Sequence, residues 1–516
     1  MSNSQFKRDI FSIIGLPPEV LAVAMAKYSR SAKSIKETID ELTEEKSAEF
    51  HEKWVLGYGD ASVADMAVIA VAFENVSILA SKAIEDNRLA SYQEKSTRYQ
   101  IFDTDRYYQP ASIMASPEAR LYQDTASQLF RVYNEMVAKM QEYYQKQYPK
   151  PVAMKDKAYQ SKLKARSCDV ARYVLPAATL TNFGMIANAR TFRNAIAKFL
   201  GHSLPELREI GEDLKKAATS SAYNPQAARL IPLLSELENH TSNEVNAAAR
   251  EIIKAINLQV KGAPTLIQHT EPKEYLIKTG QALREKTEIV LSRQTLASDE
   301  KRLDYIADNL TIEDELVATL MYSSTNFSFG QLLRAAQGMS QAEKQGIIEL
   351  ATAQRTKFDW PTRHFEVGGN FVFDTLMDYG AFRDLQRHRL CTQINQELTV
   401  RHGYEIPYEL GAAEAGLENL FKKTYQMAAD AWESLQEKFP EEARYIIPLG
   451  FRKRTLFKMN LRELFHIVEL RTKPGGHISY RSLCYQMYEE VKKRHPLLVQ
   501  NLRAIKPDFP NEFFER

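Results

Sequence analysis

The chain has only three cysteines in 516 residues, Cys168, Cys391 and Cys484, standing far apart with no Cys-x-x-Cys spacing. So odd and scattered a set argues against a disulfide framework or a cysteine-rich zinc site, and predicts a reducing compartment, the cytoplasm. No window reaches the eighteen or so uninterrupted apolar residues a membrane span needs, so no membrane is expected as partner. Residues 1–19 mix charges into short apolar runs and lack the long apolar core and small-residue cleavage site of a secretory signal. Charge of one sign is missing too. Lys and Arg number 68 against 66 Asp and Glu, a formal net of +2, so no whole-molecule field gathers nucleic acid and none is expected as partner. There is no Walker loop, no Gly-x-Gly-x-x-Gly and no cluster spaced for metal ligands. Any anion recognition must be local.

What the chain does have is a basic run, Arg387-His388-Arg389-Leu390-Cys391-Thr392-Gln393-Ile394-Asn395-Gln396-Glu397-Leu398-Thr399-Val400-Arg401. Arginine offers a planar fork of donors matched to phosphate or carboxylate, so four cationic residues this close suggest a phosphorylated ligand. A solvated basic helix end accounts for the same spacing equally well. An earlier stretch shifts the balance toward the ligand: Asp86-Asn87-Arg88-Leu89-Ala90-Ser91-Tyr92-Gln93-Glu94-Lys95-Ser96-Thr97-Arg98-Tyr99 shares Arg-Leu and then Glu-x-Ser/Thr-x-Arg. The early copy lacks the Arg-His pair, and the late copy carries two extra residues before Thr399.

Other landmarks recur in the same order. Val23-Ala24-Met25-Ala26-Lys27-Tyr28-Ser29 is echoed by Ala318-Thr319-Leu320-Met321-Tyr322-Ser323-Ser324, Ala171-Arg172-Tyr173-Val174-Leu175-Pro176 by Ala443-Arg444-Tyr445-Ile446-Ile447-Pro448, and Asn188-Ala189-Arg190 by Asn460-Leu461-Arg462. The last two pairs share an offset of 272, and Arg88 and Arg389 differ by 301. Ordered self-similarity of this kind indicates an internal duplication, and a chain this long is expected to form two domains in any case. The expected division is 1–262, a charged link at 263–300 holding Pro264 and Pro272, and 301–516. Helical spacing runs through 17–53, 76–83, 121–144 and 188–200, and the mostly apolar run from Met66 to Phe73 is expected as a buried strand. Gly57 to Ser62 break the pattern as a turn.

Arg-His-Arg, Glu-x-Ser/Thr-x-Arg, Ala-Arg-x-x-x-Pro, and Asn-x-Arg opening a helix that ends in Leu470-Arg471 together resemble the flavin-dependent thymidylate synthases, across most of both halves. The resemblance implies an α+β fold: two tandem copies of one domain, each a small, mostly antiparallel sheet covered by helices. It implies FAD as cofactor, with NADPH and methylenetetrahydrofolate as co-substrates, in the reductive methylation of dUMP to dTMP without a protein nucleophile. The cofactor then carries the hard chemistry, and the protein supplies fixed cationic donors.

In that family each nucleotide site is shared between subunits. Carried over, one composite site takes Glu94, Ser96, Arg98 and Arg172 from the first half, with Gln386, Arg387 and the uracil-polarising Arg471 from the second. The reciprocal site would combine Glu397, Thr399, Arg401 and Arg444 with Asp86 and Phe199, an acid and an aromatic where arginines belong, and is expected to be dead. For the flavin the resemblance gives His388, Arg389, Asn460 and Arg462, and from the first half Asn188, Arg190 and Asn194; His466 replaces the last asparagine in the second half. A histidine that the family places near its flavin is Asp60 before Ser62 in the first half, and the second half reads Trp360-Pro361-Thr362 there. Asn460 and Arg471, eleven residues apart, fall on one helix face about 16 Å from each other, although an amphipathic helix closed by a C-terminal arginine explains that pair as well. His364, His402 and His477 receive no role, and Glu489-Glu490 read as a solvated face. A homodimer of doubled chains is expected, since a four-domain assembly keeps its contacts that way. Two other functions remain open: flavin and folate chemistry on another pyrimidine or an RNA base, and a non-catalytic nucleotide-binding scaffold.

Overall fold

The computed structural model describes residues 11, 13, 15–42, 44–53, 63–238, 240–256, 261–292, 294, 301–306, 312–354, 362–365, 371–407, 409–410, 416–494, 499, 502–509 and 511–515. Asp60, Ser62, Trp360 and Pro361 lie outside them. Two antiparallel sheets form, one in each half. The first is β1 (Val68–Ser77), β2 (Ala90–Glu94) and β3 (Leu180–Asn188), in the order β1-β3-β2. The second is β4 (Leu303–Ile306), β5 (Phe371–Asp378), β6 (Thr392–Asn395) and β7 (Arg452–Met459), in the order β4-β5-β7-β6. With β4 set aside, the two sheets have the same path: strand, short helix, strand, long helix, central strand, and a helix capped by asparagine. The fold is α+β in two tandem copies, as the resemblance implied.

β1 corrects two expectations. It starts at Val68, because Val63–Met66 form a 3-10 turn, and it runs on to Ser77. Ser77 then caps the next helix by accepting from Ala80 N, so that helix is Ile78–Ile84 and does not start at Val76. The strand is also not buried on both faces. Ile69, Phe73 and Val76 point inward, whereas Val68 and, on β3, Ile186 are each 53% exposed. Asn75, at φ 59°, sits where the register slips between Phe73 and Val76, as a bulge requires. In the second half the matching face is covered: Val372, Ile394 and Leu456 pack with Val317, Leu320 and Leu332 of the helices Ile312–Tyr322 and Phe329–Gln337. The segment expected as the link carries the helix Glu274–Leu291, whose Leu283 and Leu291 join this same cluster.

The halves meet around a pseudo-twofold axis that passes beside Pro176 and Pro448, which form a bridge with each other. Ala177 N donates to Ile447 O at 2.9 Å, and Leu449 N to Leu175 O at 2.9 Å. One step out, Ala178 N donates to Tyr445 O at 2.8 Å and Gly450 N to Tyr173 O at 2.9 Å. Each bond has its mirror at the offset of 272, the signature of an isologous contact. The long helices Ala119–Gln147 and Gly416–Gln436 lie against this junction and share one core, with Tyr122, Phe130 and Tyr173 beside Phe421, Tyr425 and Tyr445. Gly450 permits the close approach: a Cβ there would stand 2.0 Å from Tyr425 Oη and 2.6 Å from Tyr173 Cδ1. Gly450→Ala is therefore expected to destabilise the protein by roughly 1–3 kcal/mol through overpacking, read as a lowered midpoint in thermal unfolding. An unchanged midpoint would show that the axis has slack.

Candidate active site

The loop 86–89 leads into β2, and its counterpart, the Arg-His-Arg loop, follows the helix Tyr379–Leu385, so the twofold brings these two loops face to face. Arg88 Nε donates to the carbonyl of Arg389, its own counterpart, at 2.9 Å. Between them opens a cleft of about 1230 Å³ lined from both halves, with Asn188, Arg190, Asn194, Arg387, His388 and Arg389 among its walls. Five of the seven residues assigned to the flavin thus meet in one place. Asn460 does not reach the lining; its Oδ1 accepts from Glu463 N as the cap of the helix Leu461–Arg471, as Asn188 does from Thr191 N at the head of Ala189–Leu200. Arg462 belongs to the first turn of Leu461–Arg471, and its side chain lies outside the described atoms. Asn188 Nδ2 and Arg190 are both held by Asp65, at 3.2 and 2.9 Å. Arg387, Arg389 and Asn194 line the cleft with no side-chain partner among the described residues. Its volume and these open cationic and amide donors fit a dinucleotide with a pyrophosphate.

Arg98 and Arg471, one from each half, stand against the same ring: their guanidinium carbons lie 6.0 and 5.8 Å from the centroid of Tyr480, on the helix Ile478–Arg494. Arg98 is buried, paired to Asp169 at 2.8 Å, and donates to Tyr480 Oη at 3.3 Å and Gly475 O at 3.2 Å. Arg172 is 2% exposed, and its Nε and Nη2, although buried, have no hydrogen-bond partner among the described residues. Its Nη1 lies 3.7 Å from Asp384. Burial would raise the Asp384 carboxyl, but Arg172, Arg98, Arg471 and Arg387 together hold it below the usual carboxylate range. Four arginines from two halves therefore converge on one acid. Ser96, half-buried, accepts from Arg98 N at 3.2 Å.

Two expected substrate contacts are engaged elsewhere. Glu94 is buried between Lys82 at 2.8 Å and Arg383 at 2.9 Å, with Ser81 Oγ donating to it at 3.0 Å. Gln386 Nε2 donates to Lys82 O at 2.7 Å. Both stitch the halves together. In the reciprocal set, Arg444 pairs with Glu441 and, at 3.6 Å, with Glu397, which also pairs with Arg284 at 3.2 Å. Arg401 is exposed, and Thr399 half-buried. Asp86 is clamped by Arg363 at 2.6 Å and Lys198 at 2.8 Å, which outweigh burial and hold its carboxyl at about 2. Phe199 is fully buried in the core.

Residues the sequence reading passed over are Tyr480, Asp169, Asp384 and Glu463. A spacing signal existed for three of them: Asp169 precedes Arg172 by three, Asp384 precedes Arg387 by three, and Glu463 follows Asn460 by three. Glu463, His388 and His466 offer ligand atoms all within 4.8 Å of one another. His388 Nδ1 is already bonded to Glu463 Oε1 at 2.9 Å, and His388 Nε2 to Arg471 Nε at 2.8 Å. A cation there would have to break one of the two bonds.

The family described as thymidylate synthase complementing protein matches residues 15–221 and again 306–497. The chain belongs to that family. A UPF0159 protein of Chlamydia pneumoniae is 31% identical over 519 residues, covering 95% of this chain and 90% of the relative. A flavin-dependent thymidylate synthase of Sulfurisphaera tokodaii is 33% identical over 125 residues, 23% of this chain and 49% of that protein. A crystal structure of thymidylate synthase X from Helicobacter pylori with FAD and dUMP aligns over 39% of this chain and 89% of its own at 15% identity, with a TM-score of 0.23, too loose a superposition to argue from. No helix among the described residues is long and apolar enough to cross a membrane.

Proposed function

We propose that this protein is an FAD-dependent thymidylate synthase that methylates dUMP, using methylenetetrahydrofolate and NADPH, at one composite site shared by its two halves. The observation that carries the reading is the meeting of Arg98 and Arg471 at the ring of Tyr480, with the buried, half-unsatisfied Arg172 nearby and Arg471 bonded to His388 of the large cleft. Arg172 and Ser96 hold the phosphate, with Arg98 turning from Tyr480 and Gly475 toward it. Arg471 aims its two terminal nitrogens, which have no partner among the described residues, at the uracil carbonyl, where negative charge develops. Arg387, His388 and Arg389 of the second half line the space for the flavin, with Asn188, Arg190 and Asn194 supplied by the first. The flavin, when bound, supplies the reducing and carbon-carrying chemistry.

Cysteine chemistry is a poor fit here. All three thiols are buried, and burial raises Cys391 well above its ordinary value and pushes Cys484 up to about 12, so neither is a thiolate at neutral pH. A reaction without a protein nucleophile suits such a site. The open outer face of the first sheet, with Val68 and Ile186 exposed, supports pairing of two doubled chains into a homodimer in the cytoplasm.

The test is an anaerobic assay of the purified protein. It is expected to be yellow and to oxidise NADPH only when dUMP and methylenetetrahydrofolate are both present, releasing dTMP. Bound flavin with turnover on another pyrimidine but not on dUMP would transfer the reading to that base, and absence of flavin would leave a nucleotide-binding scaffold.

A further inference from the structure

In the hydrogen-bonded chain Glu463–His388–Arg471, Glu463 has no role among the contacts assigned above, and the proton positions follow from chemistry. A guanidinium only donates. His388 Nε2, 2.8 Å from Arg471 Nε, must therefore accept, which places the proton of the neutral imidazole on Nδ1, donated to Glu463 Oε1 at 2.9 Å. We propose that Glu463 is a positioning residue for the nucleotide site: by fixing the tautomer of His388, it holds the guanidinium of Arg471 where the substrate ring will lie. The inference rests on the reading that Arg471 faces the nucleotide.

The surroundings suit that task. The Glu463 and His388 side chains are 3% and 2% exposed, so water does not compete for the bond between them. Cys391 Sγ also lies against the Glu463 carboxylate, 3.7 Å from Oε1, and His466 stands within 4.8 Å of it. The helix start fixes Glu463 in turn, through the cap from Asn460 to its backbone N–H. The same tautomer argument speaks against a metal at Glu463, His388 and His466. A cation on Nδ1 moves the proton to Nε2, where it meets a donor, and a cation on Nε2 displaces Arg471.

Protonation has the same effect as a cation. The charged groups around His388 are Glu463, Arg471 and His466 of one helix, with Cys391 on its own loop and Cys484 of the last helix beyond it. Burial lowers the pKa of His388 most, Glu463 raises it, and Arg471 and His466 lower it. Below that pKa, Nε2 carries a proton and pushes Arg471 away, so turnover falls on the acid side. Glu463→Gln removes the raising influence, which moves the acid limb to lower pH. The amide oxygen can still accept from Nδ1–H, so the tautomer is kept.

The experiment combines steady-state kinetics with nitrogen NMR of the protein labelled at its ten histidines. In the unmutated protein, His388 is expected as the Nδ1–H form. Glu463→Ala should lower kcat about 100-fold, the effect of a displacement near 1 Å, with KM for dUMP far less changed, and should give a mixture of tautomers. Glu463→Gln should restore most of kcat and shift the acid limb downward. Nε2–H in the unmutated protein would overturn the proposal, as would kcat surviving Glu463→Ala, or an acid limb unmoved in Glu463→Gln. The NMR result stands whether or not dUMP proves to be the substrate, so failure of this inference is separable from failure of the functional reading.

Discussion

Arg471→Ala is expected to lower turnover on dUMP by about 100- to 1,000-fold, the usual cost of removing a donor aimed at developing charge, while the nucleotide still binds. The phosphate-side groups Ser96, Arg98 and Arg172 come from the other half and remain available, since Arg98 is anchored by its ion pair with Asp169 without help from Arg471. Arg471→Lys is not expected to rescue. An ammonium lacks the planar fork that lets Nε bond to His388 while the two terminal nitrogens face the ring. Steady-state rates beside a calorimetric dUMP titration separate the two effects. Turnover within tenfold of the unmutated protein would remove Arg471 from the chemistry.

Glu94→Ala is expected to act on stability before it acts on affinity, with a loss of roughly 3–5 kcal/mol, because it takes from buried Arg383 its carboxylate and leaves Lys82 with Glu85 alone. Glu94 lies in the first half and Arg383 in the second, so the ion pair at 2.9 Å also ties the halves together. Burial raises the Glu94 carboxyl, but Arg383, Lys82 and Arg387 outweigh it and hold it below the usual range. A depressed carboxylate contributes its full stability above the unfolded value, about 4.3, and loses it as pH falls through the folded value. The gap between unmutated and variant proteins in urea unfolding should therefore be widest near neutrality and close under acid conditions. An unchanged unfolding midpoint with a raised KM for dUMP would return Glu94 to the substrate contacts.

The duplication was legible because its markers sit where backbone demands recur: the Ala-Arg-x-x-x-Pro pair forms the axis, and Asn188 and Asn460 cap matching helices. β7 was not legible. Its sequence, Arg452-Lys453-Arg454-Thr455-Leu456-Phe457-Lys458-Met459, reads as a basic stretch, yet Arg454 is buried against Asp374 at 3.0 Å and Lys458 against Glu315 at 2.8 Å. Those partners lie 80 and 143 residues away, and no local pattern announces them. The candidate site divides the same way. Arginines in motifs could be named, but the acids that neutralise them could not, since a lone Asp384 or Glu463 acquires its meaning only from side chains that folding brings near. Glu94 is the instructive case: motif spacing fixes which residue it is, but its neighbours fix what it does.

The self-paired junction at Pro176 and Pro448 has a consequence for inheritance. In an assembly of identical subunits, any change to a shared site is written into both copies at once, so neither can be given up without losing the other. Joining the copies in one polypeptide removes that bond of fate. Phe199 is sunk in the interior where its counterpart, Arg471, stays half-buried and bonded to His388, so matching positions of the two copies already face different surroundings.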